Sequence, residues 1–192
     1  MSRPKGFSEG DALEKALDIF WQRGYQSVGL TELLKGMGIA RQSLYDTFGN
    51  KRQLFIRTIE HYRDTRLAGA LAMLERDGSP KKNVKDVVKF FERLALDKRA
   101  RGCLVANSLV ELGPHDREIR ELLAQTLGLL EAGIAKALRK AKRLRELPAG
   151  RSPRALARAL TNSLVGMAVT GKLALGKATV ADIYAGTLSM LE

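Results

Sequence analysis

Little in this 192-residue chain can do covalent or metal chemistry. Cys103 is its single cysteine, so neither an intrachain disulfide nor a cysteine-rich zinc site is available. Its two histidines, His61 and His115, stand far apart, and no Cys–His pairing has a specific spacing. The expectation is a non-enzyme with no metal and no cofactor. Cys103 is the one reactive group. It stands at a helix start, with Arg99 and Arg101 just before it. Both features favour a thiolate. The competing reading is a small buried apolar residue.

The richer chemistry is hydrogen bonding. Arg41, Gln42 and Ser43 follow one another at the start of a short stretch whose apolar residues are Leu44 and Phe48. Arg can pair bidentately with guanine and Gln with adenine, each good pair worth about 1–3 kcal/mol of discrimination. Ser43 can donate to a base or a phosphate. Such contacts need a rigid carrier, so the surrounding elements matter.

Strand patterning is almost absent, and helical spacing dominates. A first helix is expected over about 9–23, with Ser8 as N-cap and Gly24 just past its end. A second covers about 30–37 and a third about 41–47, joined through Gly38, Ile39 and Ala40. Gly38 permits a sharp turn, and Ile39 can plug the angle between the helices. A fourth starts near Lys51 and runs past Leu74. Further helices are expected over about 84–96, 103–112, 116–144, 153–175 and 179–191, with Thr179 as the last N-cap. Asp77, Gly78, Ser79 and Pro80 read as a break, as do Pro148, Ala149 and Gly150.

The run TELLKGMGIARQSLYDTFGNK over residues 31–51, with Leu54 after it and the Gly24–Tyr25 pair before it, resembles the TetR/AcrR family of repressors. Gly38, Ile39, Leu44, Tyr45, Phe48, Lys51 and Leu54 carry the likeness. It is strong over residues 9–55 and architectural beyond them. The fold it implies is all-α with about nine helices. Residues 1–50 would form a three-helix helix-turn-helix unit, and residues 51–192 a larger ligand-binding and dimerisation bundle. The function implied is a ligand-responsive regulator that binds a palindromic double-stranded DNA operator as a homodimer and is released by a small-molecule or electrophile signal.

Site residues follow from the resemblance together with physical roles. Arg41, Gln42 and Ser43 would reach base edges. Tyr45 and Lys51 occupy the family's phosphate-contact positions and would fix register without reading sequence. Gly29, Leu30 and Thr31 lie at the start of the second helix, where free N–H groups favour a phosphate. Arg3 and Lys5 would form an arm. Thr47 departs from the family pattern, and Asp46 is expected in solvent or paired with a nearby base. The implied ligand pocket has Phe90, Phe91, Leu94, Cys103, Leu109, Leu127 and Met167 as candidate lining, each also readable as ordinary core. Some TetR-like repressors with a similar Gly-Cys-Leu segment sense electrophiles or oxidants. The last two helices carry many small residues, and Leu156, Leu160, Leu164, Leu175, Ile183 and Leu188 should divide between a dimer interface and the core.

The net charge is +12, with a pI near 10.1, which points to an anionic partner. That surplus is uneven. Residues 1–66 carry a net +3 and residues 136–192 a net +8. The most basic run, residues 136–145, supports an alternative: nonspecific nucleic-acid binding through that segment alone. A solvated helix end is the plainer reading. The N-terminus lacks the apolar core of a signal peptide, and the most apolar stretch, 164–176, is short and holds Lys172. No membrane partner and a cytoplasmic location are expected.

Overall fold

A computed structural model describes residues 7–99, 101–174 and 176–192. Arg3, Lys5 and Leu175, invoked above, lie outside these. The described residues are helical throughout, as the patterning requires. The elements are α1 (Glu9–Arg23), α2 (Leu30–Met37), α3 (Arg41–Phe48), α4 (Lys51–Tyr62), a π turn (Arg63–Leu67), α5 (Ala68–Leu74), α6 (Pro80–Ala95), α7 (Leu104–Leu112), α8 (Arg117–Arg143), α9 (Pro153–Thr170), a 3-10 turn (Gly171–Leu173) and α10 (Lys177–Ser189).

Most helix starts carry an explicit cap. Ser8 accepts from the Asp11 N–H, Ser79 from Lys82, Asp116 from Ile119 and Ser152 from Ala155. Asn50 and Gln53 form a reciprocal capping box at the start of α4. Several elements differ from expectation, among them the helix expected over 153–175, which ends at Thr170 and passes into the 3-10 turn. The helix expected from Val84 begins a turn earlier, because Ser79 caps it and Pro80 fills its first position. The last helix begins at Lys177 with Gly176 as N-cap, so Thr179 lies inside it. The long helix from Lys51 to Leu74 is interrupted by the π turn, after which α5 resumes.

Packing divides the molecule into a head and a body. In the head, α1 lies against both α2 and α4, and α3 docks on α4. Ala16, Leu17, Phe20, Leu33, Leu44, Leu54 and Phe55 are almost wholly buried there. Phe20, Phe55 and Tyr25 form an aromatic cluster, with ring centroids 5.0 Å apart for Phe20–Phe55 and 4.9 Å for Tyr25–Phe55. In the body, α6, α8 and α9 pack mutually. Leu156, Leu160 and Leu164 point into this core, while Ile183 and Leu188 are half-buried against it. Among the described residues, no helix is long and apolar enough to cross a membrane.

Candidate nucleic-acid interface

The turn between α2 and α3 rests on one backbone conformation. Gly38 has φ +72°, the left-handed region in which a side chain is strained. Its N–H donates to the Leu34 carbonyl at 3.0 Å, and so does Ile39 at 3.2 Å. From the other side, Lys15 Nζ donates to the Met37 carbonyl at 3.3 Å. Ile39 is buried, so the expected plug is in place.

This geometry aims α3. Leu44 and Phe48 are buried, and Arg41, Gln42, Tyr45 and Asp46 are exposed, Tyr45 by 45%. Ser43 and Thr47 are half-buried. Arg41, Gln42 and Tyr45 thus stand along one open edge. Asp46 accepts from the Gln42 side-chain amide at 2.7 Å, one turn away. That bond orients the amide while leaving its oxygen free to accept. Arg57 fixes the far end of α3: its guanidinium lies 5.2 Å from the Phe48 ring centroid, donates to the Thr47 carbonyl at 3.2 Å and pairs with Glu9.

Gly29 and Thr31 are exposed at the start of α2 and Leu30 is half-buried. No side chain caps this helix. Its first N–H groups are therefore open on the same unit that carries α3. Lys51, half-buried at the start of α4, holds its ammonium 4.4 Å from the Tyr25 ring centroid. Burial pushes the Lys51 pKa down, opposed by the nearby Glu111 carboxylate.

A second set of contacts joins head to body, and none of it is visible in local patterning. Glu111, near the end of α7, accepts from the backbone N–H groups of Tyr25 at 3.0 Å and Gln26 at 2.6 Å. A Cβ at Gly24 would stand 3.1 Å from its carboxylate, and Gly24 has φ +82°. Glycine there satisfies both the backbone and the close approach. Arg52 forms a fork with Asp116 at 2.7 and 2.9 Å and reaches Glu118 at 2.7 Å. The hydrogen bonds that Arg52 donates to Asp116 and then Glu118 raise its pKa and keep it charged. The same pair, with the Ile119 N–H, holds the Asp116 carboxyl down to about 2.

That shift gives a prediction. An Asp group depressed in the folded state stabilises above its ordinary value of 3.8, and the contribution is lost as pH falls through about 2. Asp116→Asn keeps a good N-cap but removes the charge. It should lower stability at neutral pH by about 1 kcal/mol, a value limited by the solvent exposure of Arg52. The gap to the parent should close between about pH 4 and pH 2, as read from denaturant midpoints.

A third contact runs through Trp21. Its indole N–H donates to the Gly102 carbonyl at 3.0 Å, and its ring packs edge-on against Tyr62 at 5.3 Å. Arg101 lies 4.1 Å from the Trp21 ring centroid and pairs with Asp18. Arg101 is therefore turned toward α1. Cys103 is buried, its sulfur accepting from the Ala106 N–H at 3.5 Å. Burial pushes the thiol pKa up against the Ala106 and Val105 N–H groups, so of the two readings the small buried residue is the one that fits and the thiolate is not. The two arginines do not rescue it: Arg101 serves Asp18 and Trp21, and Arg99 serves Asp97.

Of the other candidate ligand residues, Phe91 and Met167 are buried in the main core. Phe90, Leu109 and Leu127 are partly buried against it, and Leu94 is 37% exposed.

A helix-turn-helix head carried on a larger helical body is the architecture found in known regulators. The family model for bacterial regulatory proteins of the tetR family matches residues 12–58, and the tetracyclin repressor-like C-terminal domain model matches residues 80–185. The chain belongs to the TetR family of transcriptional regulators. Its relatives include the uncharacterized HTH-type transcriptional regulator YezE of Bacillus subtilis, 33% identical over 194 residues and all of both chains. The repressor ComR of Escherichia coli is 27% identical, over 88% of this chain and 82% of its own. Among solved structures, the TetR-family regulator CifR, as a triple cysteine mutant with 26-bp operator DNA, is 26% identical over the whole of both chains, with a TM-score of 0.88. The regulatory protein TetR from Rhodobacter sphaeroides is 27% identical over 95% of this chain and 97% of its own, with a TM-score of 0.84.

Proposed function

We propose that this TetR-family protein is a ligand-responsive repressor that binds a palindromic double-stranded DNA operator as a homodimer. In this reading residues 1–50 form the DNA-reading unit and residues 51–192 the ligand-binding and dimerisation unit. The observation that carries it is the open edge of α3, with Arg41, Gln42 and Tyr45 exposed on a head fixed by Gly38 and the aromatic cluster. Arg41, Gln42 and Ser43 would contact bases. Tyr45, Lys51 and the open N–H groups from Gly29 to Thr31 would hold phosphates. The operator-bound CifR structure supports the same use of the same architecture.

Homodimer formation is supported by α9 and α10. Ala155, Ala159 and Gly166 are exposed on α9, and Ala178, Ala185 and Gly186 on α10. These small uncharged residues permit close helix packing, and a two-fold operator requires two heads. Release by a small molecule or an electrophile would act through the head–body contacts. Cys103 caps α7 immediately after the Gly102 carbonyl that holds Trp21. A group added to its buried sulfur would press on that contact. Cys103→Ser should leave operator binding intact; because the thiol is buried with its pKa raised, release by a small alkylating reagent should be slow in the parent and absent in the variant. Unchanged release in the variant assigns the response to another group.

The basic segment 136–145 serves nucleic acid less well. It ends α8, whose first turn clasps Arg52 of the head. At 1.5 Å per residue, its charges start roughly 30 Å along the helix from that clasp. Mobility shift on the DNA upstream of its own gene tests the two readings together. The repressor reading predicts one saturable complex of two chains per site, retained when Lys140, Lys142 and Arg143 are neutralised. Loss of binding on that neutralisation would favour the basic segment instead.

A further inference from the structure

The body carries a built cleft that the operator reading does not use. It lies between α5, α6 and the C-terminal half of α8 and has a volume of about 530 Å³. That is within the range of small-ligand sites, roughly 300–1,000 Å³.

Its floor is apolar, made by Leu71, Leu74, Pro80 and Ala137. Gly133 shapes it. A Cβ there would stand 2.8 Å from Leu71 Cδ2 and 3.1 Å from Leu74 Cδ1. Without one, both leucines lie against α8. The rim is cationic: Arg76, Lys136, Lys140 and Arg143 all line the cleft and all are exposed.

The charge there is poorly balanced. Lys136 pairs with Glu75 at 2.7 Å, the one carboxylate in the lining. Glu146, next along the chain, is committed elsewhere, accepting from Ser79 Oγ at 2.8 Å and the Lys81 N–H at 2.9 Å. Among the described residues, no carboxylate pairs with Arg76, Lys140 or Arg143. Elsewhere about half of the described cations meet a carboxylate, Arg52, Arg57, Arg66 and Arg101 among them; what sets these three apart is that they line one cleft. Three unneutralised cations around an apolar floor give a specific complementarity.

We propose that this cleft is a binding site for a small organic anion with an apolar body. The negative head would lie among Arg76, Lys140 and Arg143, and the apolar part would cover Leu71, Leu74 and Ala137. Part of the basic surplus at 136–145 then serves a ligand. The proposal concerns binding at this site and stands whether or not the protein represses transcription.

Isothermal titration of the full-length protein tests it, with octanoate and octyl phosphate as probes. Octanol and inorganic phosphate are the controls, each supplying one half of the ligand. Either anionic amphiphile should bind one per chain, at least about tenfold tighter than both controls. Shortening octanoate to hexanoate should weaken binding by up to about fourfold per methylene removed. Lys140→Glu combined with Arg143→Glu, both exposed positions, should weaken binding by about tenfold or more while the far-ultraviolet spectrum and thermal midpoint stay those of the parent. No saturable binding of either anion up to about 5 mM would overturn the proposal. So would octanol binding as tightly as octanoate, or affinity unchanged in the double variant.

Discussion

Arg41→Ala weakens binding to the specific operator far more than binding to unrelated duplex. Arg41 is exposed at the first position of α3, directly after the turn that Gly38 makes possible. Among the described residues it has no ion-pair partner, so its guanidinium is free for a bidentate contact. Losing one such pair costs about 1–3 kcal/mol of discrimination, and a two-fold complex loses it twice. Nonspecific affinity rests on phosphate contacts and should fall only slightly. The slope of log affinity against log salt should therefore change little, because no phosphate contact is removed. Fluorescence anisotropy with operator and scrambled duplexes, at two or more salt concentrations, reads both effects. An equal loss on the two duplexes would make Arg41 a phosphate contact. Gln42→Ala should act similarly but more weakly, because Asp46 already takes one of its amide donors.

Trp21→Ala is the largest expected change in stability. The ring is 7% exposed and packs with Leu17, Leu104 and Tyr62 where head meets body. Removing it leaves a cavity and should cost about 3–5 kcal/mol. It also strips the indole donor from Gly102 and the ring face from Arg101. Trp21→Phe keeps most of the packing and loses the hydrogen bond, so it should cost only about 1–2 kcal/mol. The pair of variants separates packing from coupling. In the phenylalanine variant the head should still bind operator, and release by a ligand of the body should need more ligand. Urea midpoints and operator titrations measure the two quantities. Equal destabilisation by both substitutions would show that the ring contributes little beyond its N–H.

The contrast between these two sites shows how far the sequence could be read. The α3 edge was legible because its determinants are local. Gly38 allows the turn, Leu44 and Phe48 set the buried face by spacing, and Arg41 and Gln42 fall outside by default. Helix starts were legible where a capping residue preceded an apolar run, as at Ser8. The start of α6 was not, because Lys81, Lys82 and Asn83 hide its first turn behind polar residues and Ser79 and Pro80 read as a breaker rather than a cap. The π turn at Arg63–Leu67 left the apolar spacing nearly unchanged and gave no signal. The head–body contacts were beyond reach for a different reason. Glu111, Asp116 and Gly102 meet partners from 64 to 86 residues earlier, and nothing in their neighbourhoods marks them. Cys103 shows the same limit. Its neighbours Arg99 and Arg101 argued for a thiolate and its residue type for burial, and only the fold decided, burying the sulfur and turning both arginines to carboxylates.

The central claim is that α3 reads a two-fold DNA sequence through a pair of heads. Selection of bound duplexes from a random-sequence pool, using the purified full-length protein, tests it most directly. The account predicts enrichment of one inverted repeat, with half-sites about one helical turn or more apart and with the enrichment lost in Arg41→Ala. A pool that stays unenriched, or a consensus without two-fold symmetry, would contradict it.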